Sequence, residues 1–93
     1  MTVRLTRAAE EDIAGIYAYY AERNPDLAGR VSRAVIGAID GLLIFLLMGR
    51  EGKVSNTREL IMTRYPYRIV YRVGVDTAEI LTVFHGARLF PME

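Results

Sequence analysis

The segment Tyr67–Val73 places the strongest constraint on the fold of this chain. It reads YRIVYRV, so large apolar residues alternate with a second set that contains two arginines. A period of two over this length predicts a strand with one buried face and one basic face. The run Ala78–His85 is rich in β-branched and large apolar residues and follows a turn at 74–77, so it predicts the second strand of a hairpin. We therefore expect a hairpin with an open, basic face inside a working surface that spans Thr57–Arg88.

Length and composition predict one small globular domain, residues 1–93. The chain is 52% hydrophobic and 25% charged, which favours a folded core over disorder. A chain of this size buries roughly two thirds of its unfolded surface, so a partner can matter for its stability. The absence of cysteine excludes disulfides and thiolate metal sites and is compatible with the cytoplasm. We expect a cytoplasmic protein without metal or cofactor.

A membrane role is not expected. The N-terminal residues MTVRLTRAAEED lack an apolar core, so they do not resemble a secretory signal. The longest apolar run, Leu42–Met48, is far shorter than the roughly 20 residues that a spanning helix needs.

Positive charge is concentrated in one part of the sequence. The net charge is only +1, but residues 50–72 hold five Arg and one Lys against two Glu. A basic segment on a nearly neutral protein indicates an anionic partner, either nucleic acid or an acidic protein surface. A solvated sheet face explains the same pattern without any partner.

Two helices are predicted between the first strand and the later ones. Thr2–Leu5 reads as a short strand, and Thr6 is a good N-cap for an amphipathic helix that runs to about Arg23. After the break at Asn24-Pro25, a second helix is expected over 26–47. Its internal glycines predict a close approach of the two helices as an antiparallel hairpin. Its apolar end, LLIFLLM, is a candidate docking surface if one side stays uncovered.

The remaining elements complete an α+β fold of order β-α-α-β-β-β. A strand is expected from Val54 or Thr57 to Thr63, followed by a kink at Tyr65-Pro66 and then the hairpin. The two helices should pack as a hairpin on one face of a small antiparallel sheet. The opposite face should then be open and carry the arginines.

This ordered set of motifs resembles the RelE/ParE superfamily of bacterial type II toxins. The resemblance rests on the helical hairpin that ends in a Gly-Arg loop and on the motifs TREL, PYRIVYRV and ILTVFHGAR. It covers essentially the whole chain and includes the opening LTRAAEEDIAGIYAYYAERNP. The likeness is closer to the ParE, or plasmid-stabilisation, branch than to the RelE ribonucleases.

The resemblance implies a growth-blocking toxin that is encoded beside a cognate antitoxin, which binds and neutralises it. ParE-like members inhibit DNA gyrase, whereas RelE-like members cut messenger RNA in the ribosomal A site. One scaffold hosts both activities, so the residues must decide between them. A third possibility is a chain without toxicity that remains an antitoxin-binding co-repressor. Operator DNA is expected to be reached only through the antitoxin.

The resemblance also implies candidate nuclease residues. Arg68 matches the family's phosphate-contacting arginine, Arg88 matches a second arginine, and His85 lies near a terminal proton-transfer histidine of some relatives. The family's paired basic residues fall near Glu59 and Ile61, so that pair is absent. The late catalytic tyrosine of RelE has no counterpart in the sequence through Glu93.

The basic stripe is therefore interpreted as a docking face for an acidic partner, with the antitoxin as first candidate. Glu59 can also pair with an arginine of a neighbouring strand. For His85 the simpler reading is a strand-end imidazole bonded to a backbone carbonyl. The candidate partner-binding residues are Arg58, Arg64, Arg72, Tyr65, Leu46, Leu47 and Met48.

Overall fold

A computed structural model describes residues 2–86 of the chain and contains two helices and five strands. In chain order they are β1 (Thr2–Leu5), α1 (Arg7–Ala21), α2 (Pro25–Gly41), β2 (Arg50–Glu51), β3 (Arg58–Ile61), β4 (Tyr67–Val73) and β5 (Thr77–His85). The expected α+β fold and its element order are confirmed, with the short β2 as an addition inside a predicted loop.

The five strands form one sheet in the order β1-β5-β4-β3-β2. Three neighbouring pairs are antiparallel, but β1 runs parallel to β5. The sheet is therefore mixed, where the sequence led us to expect a purely antiparallel one. The strands β2, β3, β4 and β5 alternate in direction, so β5 runs opposite to the unpredicted strand β2 and parallel to β1.

The first helix begins as its sequence predicts. Thr6 lies in the extended region, and its side-chain Oγ1 accepts a hydrogen bond from the Ala9 amide at 3.1 Å. The same hydroxyl donates to the Ile80 carbonyl at 2.8 Å, which ties the start of α1 to β5. Asn24 caps α2 in the same way through the Leu27 amide. These caps satisfy helix amides that lack a partner within the helix.

The expected end of α2 is wrong by six residues. The helix ends at Gly41, and three-residue turns follow, with Leu42, Leu43 and Ile44 amides bonded to the carbonyls three positions earlier. Leu42 is fully buried, but most of the apolar residues after it are exposed. A continued helix would carry an apolar surface on every side, and this small domain has no second layer to cover it.

The glycines of α2 do not serve the predicted helix contact. Among the described residues, apart from the helix backbone and the two chain neighbours of Gly37, no atom lies within 4 Å of the place where a Gly37 side chain would begin. Gly41 faces the Met48 methyl at 3.9 Å, and Gly29 faces the Arg33 guanidinium. The helices still pair as a hairpin, but larger residues than glycine form their contact.

The main core lies between the helices and one face of the sheet, called here the helix face. Its buried residues come from α1, α2, β4 and β5, with Leu42 just after α2: Ala9, Ile16, Val31, Val35, Ile39, Leu42, Tyr67, Ile69, Tyr71, Ile80 and Val83. The alternation of Tyr67, Ile69 and Tyr71 is thus the predicted buried face of β4.

The opposite face of the sheet, the outer face, is not fully open. Val70 is completely buried and Phe84 nearly so, and Val54 and Leu81 pack against them. Val54 belongs to the loop 52–57, which folds back through a hydrogen bond from the Gly52 amide to the Thr57 carbonyl at 2.9 Å. A side chain on Gly52 would meet the Thr57 hydroxyl at 2.2 Å, so this turn requires glycine. The prediction of an open basic face is therefore wrong at its centre.

Candidate functional site

Arg68 lies on the outer face, where it is paired with a buried carboxylate. Glu59, on the neighbouring strand β3, is 2% exposed, and its Oε1 lies 3.5 Å from the Arg68 Nη1. Arg50 on β2 approaches the same oxygen at 4.0 Å, and the Lys53 amide donates to Oε2 at 3.2 Å. The predicted pairing of Glu59 with an arginine is confirmed. The sequence did not predict that the Glu59 side chain would be buried. The loop 52–57 contributes to this burial through the Lys53 amide, which bonds to Glu59.

The candidate nuclease residues do not share one face of the sheet. Residues opposite each other in an antiparallel pair lie on the same face. His85 is opposite Tyr67, a core residue of the helix face, and their rings meet edge-on at a centroid distance of 5.7 Å. Arg68 is opposite Phe84, on the outer face. Arg88, the third candidate, lies outside the described residues.

The partner-binding arginines are likewise distributed over several surfaces. Arg58 is opposite the buried Tyr71 and therefore lies on the helix face, whereas Arg72 lies on the outer face. Arg64 is exposed in the loop between β3 and β4, and Tyr65 of the same loop packs against the main core. The stripe that is continuous in sequence is thus divided in space.

A charge ladder crosses the outer face at its β1 side. Glu79 of β5 is ion-paired with Arg4 of β1 and with Arg72 of β4, the latter at 3.1 Å. The hydrogen bond from Arg4, followed by that from Arg72, holds the pKa of the Glu79 carboxyl below its usual value. These exposed pairs order the rim of the sheet and contribute little stability each.

Exposed apolar side chains are concentrated in the segment that follows α2, residues 43–48, called here the apolar loop. Leu43, Ile44, Phe45, Leu47 and Met48 are between 46% and 75% exposed. Leu46 is partly buried between them. A continuous run of large exposed apolar side chains is typical of a surface that another molecule covers.

A cleft of about 810 Å³ adjoins the apolar loop. Leu47 contributes its apolar wall, while Arg58 and Arg72 bring positive charge from β3 and β4. Glu51 is the one acidic residue among its described lining residues, which also include Asn56, Thr57 and Val73. Three predicted partner-binding residues therefore meet here, although they come from different faces and elements.

Residues 2–86 offer neither a cluster of metal ligands nor a membrane-spanning helix. No group of three or more potential metal-ligating side chains occurs in this part of the chain. Neither described helix is long and apolar enough to cross a membrane.

Known proteins with the same fold are components of toxin–antitoxin systems. The chromosomal ParDE TA system from P. aeruginosa contains a chain with a TM-score of 0.83 and 25% identity, and the match covers 91% of this chain and 95% of that one. The toxin–antitoxin complex RelBE2 from Mycobacterium tuberculosis contains one with a TM-score of 0.63 and 28% identity, over 94% and 92% of the two chains. The fold therefore defines this protein as a RelE/ParE-type toxin.

Sequence comparison gives the branch of this superfamily. The family described as ParE toxin of type II toxin-antitoxin system, parDE, matches residues 3–90. A protein of Sinorhizobium fredii named "Putative toxin Y4kP" is 38% identical over 89 residues, which cover 96% of this chain and 92% of that protein. The chain belongs to the ParE toxin family of type II toxin–antitoxin systems.

Proposed function

We propose that this ParE-family toxin blocks growth by binding and inhibiting DNA gyrase, and that it does not cut RNA. The observation that carries the proposal is the pairing of Arg68 with buried Glu59. A ribonuclease site needs a cation that can take up phosphate charge and a proton-transfer group beside it. Here the cation is engaged by an internal carboxylate, and His85 is opposite Tyr67 on the other face. Membership of the ParE family supports the same choice.

A supercoiling assay with purified gyrase and relaxed plasmid tests this proposal. Saturating toxin should prevent supercoiling, and addition of the cognate antitoxin should restore it. If a toxin that arrests growth when expressed in cells leaves supercoiling unchanged at saturating concentration, the gyrase proposal is overturned.

A ribosome-dependent endonuclease is the second candidate, favoured by the likeness to the RelBE2 complex. It requires that wild-type toxin cleave messenger RNA in a translation extract and that Arg68→Ala and Arg88→Ala abolish the cleavage. Arg30→Ala is the matched control, because this exposed arginine of α2 lies on neither face of the sheet. Intact messenger RNA in the presence of wild-type toxin would exclude this candidate.

We further propose that a cognate antitoxin neutralises the toxin by covering the apolar loop and the adjoining cleft. The structural relatives are toxin–antitoxin systems, which supports an antitoxin partner. In this proposal Leu46, Leu47 and Met48 supply apolar contact. Arg58 and Arg72 in the cleft receive acidic groups. Arg64 and Tyr65, in the loop between β3 and β4, form a separate proposed contact for acidic and aromatic groups, and operator DNA is reached only through the antitoxin.

A pair of matched charge substitutions tests the proposed docking surface. Leu47→Glu introduces a charge where the apolar loop meets the cleft and should weaken antitoxin binding by at least about tenfold. Val75→Glu introduces the same charge at another highly exposed apolar residue, in the turn between β4 and β5. It should leave the affinity unchanged. Equal affinities of both variants, measured by calorimetry, would show that the antitoxin binds elsewhere.

A further inference from the structure

The backbone at the end of the apolar loop is tied to the core by one buried side chain. Tyr71 of β4 is fully buried, and its hydroxyl donates a hydrogen bond to the Leu46 carbonyl at 2.7 Å. The same hydroxyl accepts a hydrogen bond from the Gly49 amide at 2.9 Å. A single group therefore uses both its donor and an acceptor position to hold residues 46 and 49 together.

A second tie comes from the residue opposite Tyr71. Arg58 of β3 donates from Nη1 to the Gly49 carbonyl at 2.8 Å. Both backbone polar groups of Gly49 are thus bound by side chains of one cross-strand pair. A side chain at Gly49 would begin 2.8 Å from the Tyr71 ring and hydroxyl, so only glycine allows this close approach.

The other end of the loop is also held. Leu42 is fully buried, and the amides of Leu43 and Ile44 bond back to the last turn of α2. Within the loop, the Met48 amide bonds to the Phe45 carbonyl at 3.0 Å. The exposed apolar side chains therefore project from a backbone that is anchored at both ends.

We propose that Tyr71 is a positioning residue for antitoxin recognition: with Arg58 it holds the apolar loop in the conformation that the antitoxin binds. This inference rests on the docking surface proposed above. A surface ordered before binding loses less conformational entropy when the partner arrives, so part of the affinity comes from the anchor. Tyr71 itself is buried and contributes without touching the antitoxin.

The occupant that fits this surface is an amphipathic antitoxin segment with an acidic residue beside its apolar stripe. Ile44, Phe45 and Leu47 offer apolar contact. Next to Leu47, the cleft lining holds two arginines against one glutamate, and one of the two, Arg72, is also ion-paired with Glu79. A carboxylate of the bound segment would complement the arginine charge.

The test compares two tyrosine-to-phenylalanine variants of β4. Tyr71→Phe removes the hydroxyl that holds the loop. Tyr67→Phe is the matched control, because its partly buried hydroxyl bonds to the Tyr20 hydroxyl at 3.3 Å, away from the Leu46 and Gly49 backbone. In the free toxin, Tyr71→Phe should speed hydrogen exchange of the Gly49 amide by about tenfold, and Tyr67→Phe should not. Antitoxin affinity should fall by about fivefold to tenfold for Tyr71→Phe alone.

Two outcomes separate this inference from the docking proposal. If Leu47→Glu weakens antitoxin binding but Tyr71→Phe behaves like Tyr67→Phe in both measurements, the positioning role is refuted and the docking surface stands. If Leu47→Glu has no effect on binding, the docking surface fails and the inference fails with it.

A second variant tests the anchor in case Tyr71→Phe does not fold. Arg58→Met breaks the bond to the Gly49 carbonyl without altering the buried tyrosine. It should also speed exchange of the loop amides in the free toxin. Unchanged exchange in a folded Arg58→Met protein would overturn the inference, since the loop would then hold its conformation without the anchor.

Discussion

Replacement of Arg68 by alanine should destabilise the fold more than replacement of its partner Glu59 by glutamine. The two charges are 3.5 Å apart, which corresponds to a gross attraction of roughly 5 kcal/mol at an effective dielectric constant of about 20. Most of this attraction offsets the desolvation of the two groups. The cost of each substitution therefore depends on how well the remaining charge can be solvated or paired.

The burial of the two side chains makes the effects unequal. In the wild-type fold the Glu59 side chain is 2% exposed, and without Arg68 its described contacts are Arg50 at 4.0 Å and the Lys53 amide. Breaking a buried ion pair costs about 3–5 kcal/mol, and these remaining contacts reduce the expected cost to about 2–3 kcal/mol. Without the charge of Glu59, the Arg68 side chain is still 27% exposed and can turn to water, so Glu59→Gln should cost about 1 kcal/mol.

Urea unfolding followed by circular dichroism at neutral pH measures these differences. The double variant Arg68→Ala/Glu59→Gln should be more stable than Arg68→Ala alone, because it removes the stranded charge, and the coupling should be about 1–2 kcal/mol. Arg50→Ala is the control: its side chain is 58% exposed and its cost should stay within about 0.5 kcal/mol. If Glu59→Gln costs as much as Arg68→Ala or more, or if the two effects are additive in the double variant, Arg68 does not neutralise a buried Glu59 charge in the way described.

Three further predictions concern backbone conformation and acid stability. Gly37→Ala should raise the free energy of unfolding by about 0.5–1 kcal/mol, because nothing lies within 4 Å of the new methyl group; a lower melting temperature would contradict this. Asn56 has φ 64°, so Asn56→Ala should cost about 1 kcal/mol while Asn56→Gly stays close to wild type; equal costs would argue against a left-handed residue here. Arg4, and then Arg72, lower the pKa of Glu79 in the folded protein. The contribution of Glu79 to folding stability is therefore fully present above the ordinary carboxyl pKa of 4.5 and is lost as the pH falls through its lower pKa in the folded state. An acid titration of stability should show this loss in wild type and not in Glu79→Gln, and parallel curves would contradict the assignment.

Much of the fold could be predicted because local patterns and tertiary packing agree. The alternation in Tyr67–Val73 gave the bounds of β4, and the Thr6 cap marked the start of α1. The end of α2 could not be predicted in this way, since apolar residues beyond Gly41 continue a helix-compatible pattern. The contacts that hold the chain after this end, at Leu46 and Gly49, come from Tyr71 and Arg58, which are distant in sequence.

The candidate site was predictable in residue type and less so in arrangement. The apolar loop and the arginines were identified from the sequence. Three of these candidate residues, Leu47, Arg58 and Arg72, meet at one cleft. Alternation along a strand places Arg68 and Arg72 on one face, but it carries no information about a loop that covers that face. The sequence therefore indicated a charge-pairing role for Glu59 and not its burial.

Periodicity, caps and motif order are local properties, so the amino-acid sequence alone was enough to predict most of the elements, the helical hairpin on a sheet and the likeness to ParE toxins. The available surfaces, in contrast, depend on tertiary contacts. The loop 52–57 closes the centre of the outer face over Glu59 and Val70. Tyr71 anchors the apolar loop from across 25 positions of sequence. Both effects depend on contacts between residues far apart in the chain, and a basic stripe that is continuous in sequence is divided when strand pairing assigns its residues to different faces.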